Sequence, residues 1–223
     1  MSDLVLYNYF RSSTSYRVRL ALHWKGLSFE YRSVHLLNHG GEQHRPEYRE
    51  LNPAGEVPTL SHNGKHIGQS MAILQYLDEV FPQKRIFAAK PLEKAQILQF
   101  CEGINCAHSL QNLKVLQFME KELGSSPADK NRWLQEWIGR ILESSEKMLE
   151  KTSGAYAFGG EITAADFFLV PQMFSAQRFN VNVSVYPTLA RVTQNCLRLD
   201  AFEKAHPFRQ IDTPSELKNS AIL

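Results

Sequence analysis

The sequence predicts a small α/β sheet domain over residues 1–82, followed by an all-helical domain over residues 91–223. Three observations carry that expectation. Strand-like and helix-like runs alternate as βαβ and then ββα up to Phe81. The stretch from Pro82 to Pro91 is a proline-bounded linker. No strand run follows it, only long stretches at helical spacing separated by Gly, Pro and polar clusters.

Residues 4–7 form an apolar strand run, and residues 10–22 close it and open a helix, with the hydroxyls of Ser12, Ser13, Thr14 and Ser15 placed to cap first-turn amides. Val18, Ala21 and Leu22 fall on one side of that helix and Tyr16, Leu20 and Trp24 nearly opposite, so it reads as sandwiched rather than amphipathic. Gly26 supplies its stop. Residues 27–37 alternate as a second strand, with Phe29, Tyr31 and Ser33 sharing a face. Residues 38–52 hold Gly40, Gly41 and Pro46 and read as a long loop with one helical turn. Asn63-Gly64 between two short apolar runs predicts a two-residue hairpin, and Val57-Pro58 suits an edge or turn proline. Ser70 is then the expected N-cap of a helix over residues 71–81.

Beyond the linker the predicted helices span residues 92–122, 128–151, 164–179, 187–199 and 200–205. Ile162-Thr163-Ala164-Ala165-Asp166-Phe167 has the form of a capping box with a hydrophobic staple, a structural helix start with Thr163 as cap and Asp166 at N3. On the first long helix Ile97, Cys101, Ile104, His108, Gln111, Asn112 and Val115 share one stripe. Its three polar groups either bond neighbouring helices or line a cleft, and spacing alone leaves both readings open.

Composition bounds the function. Hydrophobic residues at 43% and charged residues at 22% exclude a disordered chain. The 25 basic and 23 acidic residues leave a net charge of +2 with no block of like charges, so no nucleic-acid surface is expected. No run approaches the roughly 20 apolar residues of a membrane span, and Met1-Ser2-Asp3 does not open a signal peptide. A cytoplasmic protein is the expectation. The three cysteines have neither CxxC nor zinc-type spacing, so they are expected to be buried thiols, with no metal site.

The serine-rich helix opening carries two readings. Its hydroxyls only cap the helix, or the positive helix end holds an anion such as a thiolate. The run Ser12-Ser13-Thr14-Ser15-Tyr16-Arg17-Val18-Arg19-Leu20-Ala21-Leu22 resembles the signature of zeta-class glutathione transferases, the maleylacetoacetate isomerases. The likeness continues through Leu51-Asn52-Pro53, Glu56-Val57-Pro58-Thr59-Leu60, Gln69-Ser70, Leu110-Gln111-Asn112-Leu113, Ala165-Asp166, Leu169-Val170-Pro171-Gln172, Arg178-Phe179 and His206-Pro207. It covers nearly the whole chain in order.

That resemblance implies a thioredoxin-like N-terminal domain and a helical C-terminal domain, with glutathione as cofactor and a homodimer as the assembly. It implies a cis bond before Pro58, with the backbone at Val57 holding the cysteinyl part of glutathione. It assigns Gln69 and Ser70 to the γ-glutamyl end, Gln43 to the glycyl end, and His108 and Asn112 to the neighbourhood of the sulfur, which favours the cleft reading of the polar stripe. Ser12 is the residue implied to stabilise the thiolate, with Ser13 the near alternative, and Arg11, Lys114 and Arg178 are implied to meet a small dicarboxylate substrate. The implied reaction is cis–trans isomerisation of maleylacetoacetate to fumarylacetoacetate in tyrosine and phenylalanine breakdown, by thiolate addition, bond rotation and elimination. Maleylpyruvate isomerisation, transfer to small α-halo acids and a non-catalytic interaction module are the alternatives. The chain departs from the family pattern at Thr14, where cysteine is common, and at Tyr16, where tryptophan is usual.

Overall fold

The computed structural model describes residues 3–218, so residues 1–2 and 219–223 of the two expected domains lie outside it. The chain forms two compact units, one of residues up to Arg85 together with those from Leu197 on, the other running from Ile86 to Cys196.

The first unit is built on a mixed sheet. β1 (Leu4–Asn8) runs parallel to β2 (Glu30–Ser33) and antiparallel to β3 (Thr59–His62), which pairs antiparallel with β4 (Lys65–Gly68). The order is β2-β1-β3-β4. Leu6 stands opposite Leu60 in this register and both are fully buried. The β3–β4 connection is the expected two-residue hairpin, with Asn63 and Gly64 at φ 50° and 72°, the left-handed pair that matches the twist of the strands. β2 is shorter than the predicted run of residues 27–37. The predicted loop after it contains two 3-10 turns, Asn38–Gly40 and Glu42–His44, and a short helix, α2 (Pro46–Leu51).

α1 (Ser13–Lys25) stops at Gly26, whose φ of 70° is left-handed, so glycine ends the helix without a Cβ clash. It packs against α3 (Ser70–Val80) and α9 (Asp200–Ala205), which explains its burial on opposite sides. Residues from Leu197 on group with the sheet rather than with residues 91–196, because Arg19 Nε of α1 donates to the Ala205 carbonyl at 3.0 Å. At the other end of α1, buried Lys25 pairs with Asp78 at 2.9 Å and donates to the carbonyls of Phe81, Gln83 and Lys84. A buried ammonium with four oxygen partners is a fixed tie rather than a surface ion pair.

The second unit is helical, with α4 (Pro91–Ser109), α5 (Leu113–Lys121), α6 (Pro127–Thr152), α7 (Ala164–Arg178) and α8 (Pro187–Leu197). α4 and α6 pack on α7, which is buried along almost its whole length and is the core helix of the unit. The buried Glu146 carboxylate accepts from the backbone N–H groups of Thr188 and Leu189, closing the positive end of α8. The predicted helix over residues 92–122 is two helices. It breaks because the Leu110 carbonyl accepts from Trp133 Nε1 at 2.8 Å, while Asn112 adopts an extended backbone and restarts the chain as α5. Cys101 and Cys196 are buried as expected, but Cys106 is exposed.

Two buried groups give opposite pH dependences. Asp166 closes the predicted capping box and also accepts from the backbone N–H of Ala157. Burial nevertheless pushes its carboxyl up to about 6, against those hydrogen bonds. Its contribution to stability is full below the ordinary carboxylate range and is lost as pH rises through about 6, by up to roughly 3 kcal/mol. His206, buried and edge-on to Tyr16 and Phe208, is pulled down to about 4 by burial first and by Arg209 and Arg19 second. It stays neutral in the fold, so its contribution is present above the ordinary histidine range and is lost as pH falls towards about 4, by a similar roughly 3 kcal/mol. The two offset each other in the native protein between about pH 4 and 6. Asp166→Asn is therefore expected to expose a loss of stability in acid, and His206→Asn a gain, in urea midpoints followed across that range.

Candidate functional site

In the first unit the chain bends sharply between β1 and α1, and Ser12 sits at the bend as the N-cap of α1, with extended φ −71° and ψ 122°. Its Oγ accepts from the backbone N–H of Ser15 at 3.2 Å. The first turn carries no acidic side chain, and Arg17 and Arg19 lie in the same helix, so the helix end keeps its positive potential. Ser12 Oγ also lies 2.9 Å from Thr14 Oγ1, which donates to the Val57 carbonyl at 3.0 Å. Val57 precedes Pro58 through a cis peptide bond, as the resemblance implied. One chain of hydrogen bonds thus joins the opening of α1 to the turn before β3.

Ser70 is the first residue of α3 rather than its expected cap. Gln69 holds the cap position at φ 65°, a backbone conformation that a non-glycine residue keeps only when its surroundings enforce it. Gln69 is exposed and donates to Glu56 at 3.4 Å, whereas buried Ser70 accepts from Arg17 Nη1 at 3.2 Å. A fully buried guanidinium thereby supports a hydroxyl at a helix N-terminus, an arrangement suited to a carboxylate. Gln43 is buried in the 3-10 turn before α2, where its Nε2 donates to the Leu36 carbonyl at 3.4 Å and its Oε1 meets no donor among the described residues. An amide N–H of a ligand would satisfy that oxygen. Arg11 is half-buried, with its guanidinium 5.7 Å from the centre of the Phe10 ring, and Ser13 is buried in the first turn.

In the helical unit the other candidates fall on three elements. His108 lies in the last turn of α4, Asn112 caps α5 by its backbone alone, and Lys114 stands exposed in the first turn of α5. Because the helix breaks, His108, Gln111 and Asn112 do not form the single stripe expected. Gln111 instead turns inward, donating to the Ala107 carbonyl at 3.2 Å and accepting from Gln172 of α7 at 3.4 Å. Arg178 closes α7, exposed, with its guanidinium 4.8 Å from the Phe179 ring centre.

Three participants were not anticipated. The part Thr14 plays had a signal in the sequence, a second hydroxyl two residues after the cap. The burial of Arg17 and Arg19 had one too, two cations on a helix without a polar face. The residues around Ser12, Val57, Gln69 and Gln43 fit glutathione: a donor hydroxyl at a positive helix end, a buried oxygen lacking a donor, and a cation-backed helix N-terminus.

Comparison with known proteins gives the family. Residues 6–85 match the glutathione S-transferase N-terminal domain family. The chain is 41% identical over 215 residues to the maleylacetoacetate isomerase of Rattus norvegicus, covering 96% of this chain and 97% of that one. A solved structure described as holo maleyl pyruvate isomerase, a bacterial zeta-class glutathione S-transferase, superposes with a TM-score of 0.91 at 35% identity, covering 94% of this chain and all of that one (100%). The maleylacetoacetate isomerase of Anaeromyxobacter dehalogenans, solved with dicarboxyethyl glutathione and citrate in its active site, superposes with a TM-score of 0.83 at 34% identity, covering 96% of this chain and 100% of that one. With full-length likeness of that degree, and with a thioredoxin-like sheet unit and a helical unit in the expected order, the chain belongs to the zeta class of the glutathione transferases, a class of glutathione-dependent isomerases.

Proposed function

We propose that this protein isomerises maleylacetoacetate to fumarylacetoacetate with glutathione as cofactor, a cis–trans step in tyrosine and phenylalanine breakdown. The observation that carries the proposal is the Ser12 hydroxyl at the positive end of α1, hydrogen-bonded through Thr14 to the Val57 turn. Glutathione, when bound, supplies the sulfur nucleophile for addition to the cis double bond and its later release.

The chain's own residues would act on that chemistry as follows. The Ser12 hydroxyl donates a hydrogen bond to the sulfur and, with the helix end, favours the thiolate over the thiol, whose ordinary pKa is about 8.5. Ser13, next in the same turn, is the alternative donor. The Val57–Pro58 turn, Gln43, Gln69 and Ser70 hold the peptide part, and Arg17 behind Ser70 strengthens its grip on a carboxylate. His108 and Asn112 are assigned to the sulfur's neighbourhood. Arg11, Lys114 and Arg178 supply cationic donors for the two carboxylates of the substrate and for the negative charge that develops as sulfur adds.

Maleylpyruvate is the second reading, favoured by the likeness to the maleyl pyruvate isomerase structure. The deciding experiment follows the ultraviolet absorbance of each cis substrate with and without glutathione. Glutathione-dependent loss of maleylacetoacetate at the faster rate supports the proposal. Faster turnover of maleylpyruvate moves the assignment to that substrate, and no turnover of either contradicts both. We further infer a cytoplasmic homodimer. The free thiols of Cys101, Cys106 and Cys196 suit a reducing compartment, and a monomer by light scattering at micromolar concentration would contradict the assembly.

A further inference from the structure

We propose that Thr14 is a positioning residue that keeps the Ser12 hydroxyl proton available to the sulfur by occupying the Val57 carbonyl itself. The inference rests on the reading of Ser12 given above. It follows from counting protons in the three-bond chain at the start of α1. Thr14 Oγ1 has one hydrogen, and at 3.0 Å from the Val57 oxygen that hydrogen is donated to the carbonyl. In the 2.9 Å contact between the two hydroxyls Thr14 must then accept, so Ser12 is the donor. The backbone N–H of Ser15, donating to Ser12 Oγ at 3.2 Å, fixes the position of that oxygen and polarises its O–H.

Ser12 therefore donates to a neutral hydroxyl, an acceptor that a thiolate outcompetes because charge-assisted bonds are about twice as strong as neutral ones. Without the Thr14 hydroxyl, the half-buried Val57 carbonyl would lose its side-chain donor, and Ser12, the other hydroxyl in this hydrogen-bonded relay, is the candidate to replace it. An amide carbonyl is a stronger acceptor than a hydroxyl, so the sulfur would then compete for a proton already well bound. Thr14 thus acts through Ser12 and does not touch the reacting atoms. The common family residue here, cysteine, has a weak S–H donor and would fill this role poorly, so the device belongs to this chain's own sequence.

The test uses the full-length protein with reduced glutathione bound. Thr14→Val keeps the branched shape and removes the hydroxyl, and Thr14→Ser restores the hydroxyl alone. The ultraviolet absorbance of the bound thiolate is titrated against pH, and kcat/KM for the cis substrate is measured at neutral pH beside it. In Thr14→Val the thiolate titration is expected to move up by about one pH unit and kcat/KM to fall about tenfold, with glutathione affinity within about threefold of native. Thr14→Ser is expected to bring both back to within about threefold. Thr14→Ala carries the same expectation as Thr14→Val and replaces it if valine lowers the melting temperature markedly. A native titration in Thr14→Val, or a Thr14→Ser protein that behaves like the valine variant, overturns the inference. Ser12→Ala separates the two levels. If it leaves the titration native, the reading of Ser12 itself fails; if it shifts the titration while Thr14→Val does not, only the role of Thr14 fails.

Discussion

Ser12→Ala is expected to lower turnover at least tenfold while glutathione binding largely survives, an activation loss of about 1.4 kcal/mol or more. The split follows from where the hydroxyl sits. In the proposed site Ser12 contributes one donor at the cap of α1, whereas the grip on the peptide portion is spread over the Val57 turn, Gln43, Gln69 and Ser70; of these only the Val57 turn is linked to that side chain, and its own bond from Thr14 survives the substitution. The substitution also removes an N-cap, which costs about 1 kcal/mol of stability. That loss is too small to unfold a protein of this size at room temperature. Steady-state rates at saturating glutathione, set beside a direct binding titration, measure the two effects separately. Near-native turnover would move the role to Ser13 or to His108.

Arg19→Met is expected to destabilise the sheet unit by about 3–5 kcal/mol. The Arg19 side chain is fully buried and spends its donors on four oxygens: the Ala205 carbonyl at 3.0 Å, Asn8 Oδ1 at 2.9 Å, the Tyr9 carbonyl at 3.3 Å and the Phe10 carbonyl at 2.9 Å. Desolvation lowers the pKa of the guanidinium, so the ion is costly to bury and the geometry must compensate. Methionine fills similar volume but donates nothing, which leaves several buried acceptors unsatisfied at about 1–3 kcal/mol each before relaxation. Three of those acceptors are on the segment that delivers Ser12, so the same variant should also loosen glutathione binding. A urea-unfolding free energy within about 1 kcal/mol of native would contradict this expectation.

Much of this architecture could be read from local rules. The Asn63-Gly64 hairpin, the Gly26 stop and the Thr163–Asp166 box each satisfy a requirement set within a few residues, and each stands where its pattern placed it. What escaped depends on partners distant in sequence. The break at residues 110–112 is held by Trp133, twenty-three positions on, and by Gln172 further still. The grouping of α9 with the sheet rests on Arg19. No helical wheel contains those partners. The site divides similarly: Ser12 at a helix end was legible from its cap pattern, and the cis bond before Pro58 came from family resemblance. The backing of Ser70 by Arg17 and the bridge through Thr14 needed the packed chain to become visible.

On the proposed function, the opening of α1 holds a sulfur anion through Ser12. A crystal structure of the protein with reduced glutathione tests it most directly. The sulfur is expected within about 3.5 Å of Ser12 Oγ, beside the backbone of Val57. A sulfur lying away from both, with the peptide bound elsewhere, would contradict it.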